Sequence, residues 1–146
     1  MKSDPLITFR RSPANLDRSA TELFAETLRG RVARGRSFHC LITNDAEVQA
    51  LNRTWRKKDY ATDVLSFPLT DGQYIGDIAI SLQRARAQAR EWGHSIEDEI
   101  RILMLHGVLH LKGMDHESDS GEMARAEVRW RKKLGLPTGL IERVAR

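Results

Sequence analysis

Apolar residues recur at the spacing of an α-helix in five parts of the chain. Ser19, Asp45 and Ser95 stand at the start of three of these repeats, and each is a residue type that caps a helix N-terminus. Gly93 and Gly113 follow two of the repeats, where glycine is the residue that most often ends a helix. The pattern therefore predicts helices that begin near residues 19, 45, 82 and 96, and a last helix over residues 120–134.

Segments rich in β-branched and aliphatic residues separate the predicted helices. They predict strands over residues 37–44, 62–69 and 74–81, and a further short strand over residues 6–9. A short link containing Asp71 and Gly72 joins two of these strands, which predicts an antiparallel hairpin. Together the elements predict an α+β fold in which helices cover a small mixed β-sheet.

Length and composition indicate one globular domain over residues 1–146, in which 40% of the residues are hydrophobic and 30% are charged. Cys40 is the single cysteine, so no intramolecular disulfide can form, which fits a reducing compartment. No segment approaches the ~20 apolar residues that span a bilayer. The first residues contain no apolar segment of signal-peptide length. We expect a cytoplasmic protein that has no membrane partner.

The net charge of +4 is unevenly distributed along the chain. Residues 121–146 contain seven Lys or Arg against three Glu, and three arginines at positions 84, 86 and 90 form a second basic cluster. A phosphate backbone would be attracted to such clusters. A solvated helix face is the simpler explanation of each cluster, so charge alone does not predict a nucleic-acid partner.

Three histidines within eleven residues carry the clearest chemical signal. His106 and His110 are four residues apart, so on a helix they project from one face. Gly113 then ends the helix and lets the chain reverse, which can bring His116 toward the same point. Three imidazoles that leave one coordination position open are typical of a catalytic zinc site. We therefore predict one Zn²⁺ per chain, held by a helix and the turn that follows it.

A fourth protein ligand would instead make the site structural, and Cys40 and Asp115 are the candidates. Cys40 lies in an apolar strand and is better explained as a small core residue. Asp115 can also orient a ligand imidazole without touching the metal. His39 and His94 have no comparable neighbours in the sequence, so we interpret them as structural or surface residues.

The histidine spacing matches the H-E-x-x-H-x-x-G-x-x-H pattern of metzincin proteases, with one difference. Gly107 stands where those enzymes carry the glutamate that serves as general base. Without that carboxylate, the usual activation of water for peptide hydrolysis is missing. The metal site is still predicted, but the protease hypothesis is weakened.

Three segments of the chain resemble the YbeY family of bacterial endoribonucleases, also called ribosomal RNA maturation factors. The histidine segment HGVLHLKGMDHE, residues 106–117, is similar to that family's signature. LNRTWRKKDYATDVLSFPL, residues 51–69, and IGDIAIS, residues 75–81, resemble two further family motifs in the same order. Two departures occur: Lys57 stands where the family often has glycine, and the link LTDGQY between two strands is short.

The resemblance implies a zinc-dependent endoribonuclease that acts on single-stranded RNA. It implies a role in maturing the 3′ end of small-subunit (16S) ribosomal RNA and in ribosome quality control, with the small ribosomal subunit as a partner. The family's zinc ligands map onto His106, His110 and His116, and its functional arginine maps onto Arg56. A guanidinium can bind phosphate and charge that develops in the transition state. A surface salt bridge, for example with Asp59, is the structural alternative for that arginine.

Several functional questions stay open at the level of the sequence. The group that accepts the proton in the cleavage step is not identified, although Asp115 and Glu117 lie beside the histidines in the sequence. Attack on the phosphate by the RNA's own 2′-hydroxyl is an equally open route. A zinc hydrolase of another substrate class, such as a protease or amidase, is one rival hypothesis. A non-catalytic zinc-containing ribosome assembly factor is the other.

Overall fold

A computed structural model describes residues 5–10, 16–56 and 62–144, and of Arg56, Thr70 and Val144 it describes the backbone alone. These residues form four strands and six α-helices, and a π-helical turn, Leu28–Val32, continues the first helix. The strands are β1 (Ile7–Phe9), β2 (Ser37–Thr43), β3 (Val64–Asp71) and β4 (Tyr74–Ser81). The helices are α1 (Arg18–Thr27), α2 (Asp45–Arg56), α3 (Leu82–Trp92), α4 (Ile96–Leu111), α5 (Glu122–Leu134) and α6 (Leu140–Val144).

The strands form one mixed sheet in the order β1-β2-β4-β3, which confirms the predicted α+β fold. β2 pairs in parallel with both β1 and β4, whereas β3 and β4 form the predicted antiparallel hairpin. β3 is therefore an edge strand of the described sheet, and Pro68 lies within it, at a position that edge strands tolerate. Among the described residues, none of the helices combines the length and apolar character needed to cross a membrane.

Helix α4 lies at the centre of the fold because it is apolar on nearly all sides. Eleven of its sixteen residues are buried, including Ile100, Leu103 and Met104. It packs directly against the sheet at Gly107, where an added Cβ would lie 2.9 Å from the nearest Ile78 side-chain carbon. Burial of this size is the main stabilising contribution in a domain of this length. The same packing fixes the C-terminal end of α4 relative to β3.

The structure corrects the predicted helix caps. Asp17, not Ser19, caps α1, because its carboxylate accepts a hydrogen bond from the backbone N–H of Ala20. Asn44, not Asp45, caps α2, because its side-chain oxygen accepts from the backbone N–H of Glu47 at 2.9 Å. Each cap lies one or two residues before its predicted position. Ser95 caps α4 as predicted.

Helix α2 covers the other face of the sheet. Val48 packs there with Leu65 and Ala79, and Leu51 lies against them. Trp55 lies one turn beyond Leu51 at the same helical spacing, but its side chain is 70% exposed. The last turn of α2 therefore extends beyond the sheet that its first turns cover.

Candidate metal centre

The C-terminal end of α4 and the turn after it bring the three histidines together. His106 and His110 are one helical turn apart, with ring centroids 4.8 Å from each other. The ring of His116 lies 5.4 Å from that of His106 and 5.5 Å from that of His110. The nitrogen atoms available as ligands all lie within 4.8 Å of one another, a spacing at which they could hold one metal ion.

A Schellman motif turns the chain back toward the helix. The backbone N–H of Gly113 donates to the carbonyl of His110 at 2.9 Å, and that of Met114 donates to the carbonyl of Leu109 at 3.2 Å. Gly113 has a φ of 96°, in the left-handed region that glycine adopts without strain. Gly113 was predicted to end the helix and to let the chain reverse. The observed reversal brings His116 back toward His106 and His110.

Asp115 shapes the turn that carries His116. Its carboxylate accepts hydrogen bonds from the backbone N–H of Glu117 at 3.1 Å and from the hydroxyl of Ser118 at 3.0 Å. The bond from the Glu117 N–H is the main reason why the pKa of Asp115 lies below its ordinary value. Among the described residues, the group that could hold a metal consists of the three histidines, and Asp115 does not belong to it.

Cys40 does not belong to that group either. It is fully buried in β2, in the core predicted for it, and burial raises the pKa of its thiol far above the ordinary value. The other two histidines are structural, as interpreted from the sequence. His39 shares a hydrogen bond of 2.8 Å with the Thr8 hydroxyl, and His94 pairs with the buried Glu99.

Glu127 on α5 orients His106, a contact that the sequence reasoning missed. The Nδ1 of His106 and the Oε2 of Glu127 are 2.8 Å apart, and both side chains are buried. Since Nδ1–H donates to this carboxylate, the Nε2 lone pair of His106 is left for a metal. One signal in the sequence could have indicated this contact. Glu127 is a charged residue four positions after Met123, on the apolar side of α5.

The surroundings of His110 favour its neutral form. Burial lowers the pKa of its imidazole, and the neighbouring His106 and His116 lower it further. A hydrogen bond with the backbone of Met114 and the nearby carboxylate of Asp115 act in the opposite direction but are smaller effects. A neutral imidazole retains the lone pair that a metal ligand requires.

The three histidines open onto a cleft of about 980 Å³. The edge strand β3, the end of α2, the turn after α4 and the start of α6 form its walls. Trp55 lines this cleft, and its side chain is 70% exposed. Arg56 follows Trp55 in the chain, but its side chain lies outside the described residues, so its predicted role stays a prediction.

Gly107 lies on the side of α4 that faces the sheet. A Cβ at this position would lie 2.9 to 3.1 Å from three carbons of the Ile78 side chain. A glutamate here would enter the core and separate α4 from β4. The position that supplies the general base in metzincin proteases therefore has no room for that side chain in this fold.

Comparisons with known proteins identify the family of this chain. The sequence model of the family described as Endoribonuclease YbeY matches residues 7–135. The chain belongs to that family. An Endoribonuclease YbeY from Solibacter usitatus is 68% identical over 138 residues, which cover 94% of this chain and 93% of the relative. One from Koribacter versatilis is 46% identical over 142 residues, 97% of this chain and 93% of the relative.

A solved structure shares the fold of this YbeY family member. The solution structure of TM1509 from Thermotoga maritima superimposes with a TM-score of 0.58 at 24% sequence identity. The match covers 90% of this chain and 93% of that one. The comparison supports the fold alone, and the resemblance deduced from the three sequence motifs is confirmed by the family match.

Proposed function

We propose that this chain is a zinc-dependent endoribonuclease that cleaves single-stranded RNA in the cytoplasm. The observation that supports the proposal is the meeting of three imidazoles at one end of a cleft, with Glu127 fixing the first of them. The relatives named Endoribonuclease YbeY support RNA as the substrate. The motif resemblance supports a role in 3′-end maturation of 16S ribosomal RNA and in ribosome quality control, on the small ribosomal subunit.

The donor set fits zinc better than a harder cation. His106, His110 and His116 supply imidazole nitrogens, which suit zinc, whereas magnesium prefers oxygen ligands. The described residues add no fourth ligand to the group, which leaves room for water and substrate. Zinc bound there would lower the pKa of a water molecule and polarise a phosphoryl oxygen.

The remaining roles fall to side chains around the histidines. We assign to Arg56 the binding of the scissile phosphate and of charge that develops in the transition state. Asp115 is poorly suited as a general base, because both of its oxygens accept hydrogen bonds and its pKa is lowered. Glu117 is therefore the remaining candidate for the general base among these two carboxylates, and it would take the proton from a water molecule or from the 2′-hydroxyl of the RNA, whichever attacks the phosphate.

Cleavage of matched substrates tests the proposed substrate class. The purified protein is incubated with a single-stranded RNA, with the same RNA in a perfect duplex, and with an unfolded protein substrate. We expect cleavage of the single-stranded RNA, and no cleavage of the duplex RNA or of the protein. Hydrolysis of the protein substrate would favour the rival zinc hydrolase, which Gly107 argues against. Tight RNA binding without cleavage would favour the non-catalytic assembly factor.

Replacing Glu127 with glutamine is expected to lower zinc affinity. The carboxylate accepts from two N–H donors, those of His106 and Ile141, at 2.8 and 2.7 Å. The amide of glutamine would present a donor to one of them. Loss of such a supporting contact typically weakens metal binding by about 10- to 100-fold. The measurement is competition with a chromophoric zinc chelator.

The control for this variant is Glu122→Gln, on the exposed first turn of the same helix. It removes the same charge at a distance from the histidines. Unchanged zinc affinity in Glu127→Gln, or an equal loss in both variants, would contradict the role assigned to Glu127.

Replacing Trp55 with alanine is expected to raise the KM for single-stranded RNA. Its exposed ring in the cleft wall can stack on an unpaired base, an interaction worth about 1–3 kcal/mol. We therefore expect KM to rise by about 10-fold, with a smaller change in kcat and with most of the effect recovered in Trp55→Phe. Leu23→Ala, at an equally exposed apolar residue outside the cleft, is the control. An unchanged KM in Trp55→Ala would remove this role.

A further inference from the structure

Glu127 connects the metal centre to the C-terminal segment of the chain. One carboxylate oxygen accepts from His106, and the other accepts from the backbone N–H of Ile141 at 2.7 Å. Ile141 lies in α6, beyond residue 135, where the match to the family model ends. The side chain that fixes the first histidine is therefore itself fixed by a segment outside that match.

Two ion pairs fix this segment on the rest of the fold. Arg143 donates to the buried carboxylate of Glu99 at 2.9 Å, and the other oxygen of Glu99 is 2.6 Å from Nε2 of His94. Glu142 accepts from Arg131 on α5 at 2.9 Å. The Arg143–Glu99 pair is almost fully buried, and removing one partner of such a pair is costly because the other charge stays in the core. The two residues that follow Ile141 are thus paired with α5 and with α4, which fixes the position of the Ile141 N–H.

Gly139 provides the space that the carboxylate occupies. A Cβ at this position would lie 2.6 Å from Oε1 of Glu127 and 3.1 Å from an oxygen of Glu142. The glycine is buried, and its φ lies outside the left-handed region, so the need for it is one of space and not of backbone conformation. Any side chain at residue 139 would push against the oxygen that Ile141 holds.

We propose that residues 139–143 act as a positioning element for the metal centre, with Gly139 and the Ile141 N–H aligning Glu127 on His106. A carboxylate held by a single hydrogen bond can rotate about its last side-chain bonds. Held at both oxygens, Glu127 presents Oε2 to Nδ1 in one direction and so fixes the direction of the His106 Nε2 lone pair. The inference rests on the proposed function in one respect, namely that the histidines bind zinc.

The test is the zinc affinity of Gly139→Ala, measured by chelator competition on the full chain. We expect the dissociation constant to rise by about 10-fold, the low end for loss of a supporting contact. Gly30→Ala is the matched control, because no atom lies within 4 Å of a Cβ there and its φ is not positive. Thermal unfolding of both variants is measured without zinc. An unchanged unfolding temperature in Gly139→Ala would show that weaker zinc binding comes from a shifted carboxylate and not from a general loss of stability.

A second pair of variants isolates the hydrogen bond if Gly139→Ala does not fold. Ile141→Ala keeps the backbone N–H, whereas Ile141→Pro removes it in the first turn of α6, where proline is tolerated. We expect weaker zinc binding in the proline variant than in the alanine variant. Two results would overturn the inference, provided that Glu127→Gln still weakens zinc binding. One is a zinc affinity of Gly139→Ala within 2-fold of that of the unchanged protein, and the other is equal zinc affinity in the two Ile141 variants. Absence of zinc binding by the unchanged protein would instead overturn the proposed function.

Discussion

Replacing His110 with alanine is expected to remove bound zinc and RNA cleavage together. The ring of His110 lies close to both other imidazoles, with its centroid 4.8 Å from that of His106 and 5.5 Å from that of His116. Without it, two protein ligands remain, fewer than the three that catalytic zinc sites normally use. We expect less than about one tenth of the zinc content of the unchanged protein and no measurable cleavage, in line with the loss of a direct ligand.

His39→Ala is the matched control for that variant. It removes an imidazole whose hydrogen-bond partner is Thr8, on the sheet and outside the group of possible ligands. It should retain both zinc and cleavage. Full zinc content in His110→Ala would contradict the assignment of this residue as a ligand, and cleavage without zinc would contradict the proposed chemistry.

Replacing Arg56 with alanine is expected to abolish cleavage while zinc content stays unchanged. The side chain is assigned to the substrate phosphate and not to the metal, so its loss removes phosphate binding and stabilisation of the transition state but no metal ligand. Removal of one such donor lowers kcat by about 100- to 1,000-fold in other enzymes. Arg56→Lys should recover little of this loss, because an ammonium group lacks the planar pair of donors. Single-turnover cleavage and metal analysis of the same preparation measure both quantities.

Arg53→Ala serves as the control on the same helix, one turn earlier and outside the residues that line the cleft. It lowers the positive charge of α2 by the same amount. Equal loss of activity in both variants would indicate a general electrostatic effect. Activity that persists in Arg56→Ala would show that the role assigned to it is wrong, and a salt bridge would then be its better explanation.

The parts of the site that the sequence predicted are those encoded by local geometry. The spacing of His106 and His110 fixes their common helix face, and Gly113 allows the reversal that returns His116. All three histidines lie within eleven consecutive residues, at the C-terminal end of one helix and in the turn after it. For the same reason the hairpin of β3 and β4 was predictable from two runs of β-forming residues and a short link.

The parts that the sequence did not predict depend on contacts between distant elements. Glu127 lies 21 residues from His106, and no spacing rule connects two helices. Helix α6 has five residues, too few to show a periodic pattern, and it is fixed by the pairing of Arg143 with Glu99, 44 residues away. The exposure of Trp55 depends on where the sheet beneath α2 ends, and the spacing of apolar residues along the helix gives no information about that position.

Metal content and cleavage measured on one preparation test directly whether this chain is a zinc-dependent ribonuclease. The purified chain is analysed by mass spectrometry for bound metals and is assayed on a single-stranded RNA from the 3′ end of small-subunit ribosomal RNA, before and after chelation and with zinc added back. We expect about one zinc per chain, as three imidazole ligands with an open position require, and cleavage that disappears with the metal and returns with it. A chain that binds no zinc and is not restored by added zinc would contradict this proposal. One bound zinc per chain with no cleavage would also contradict it.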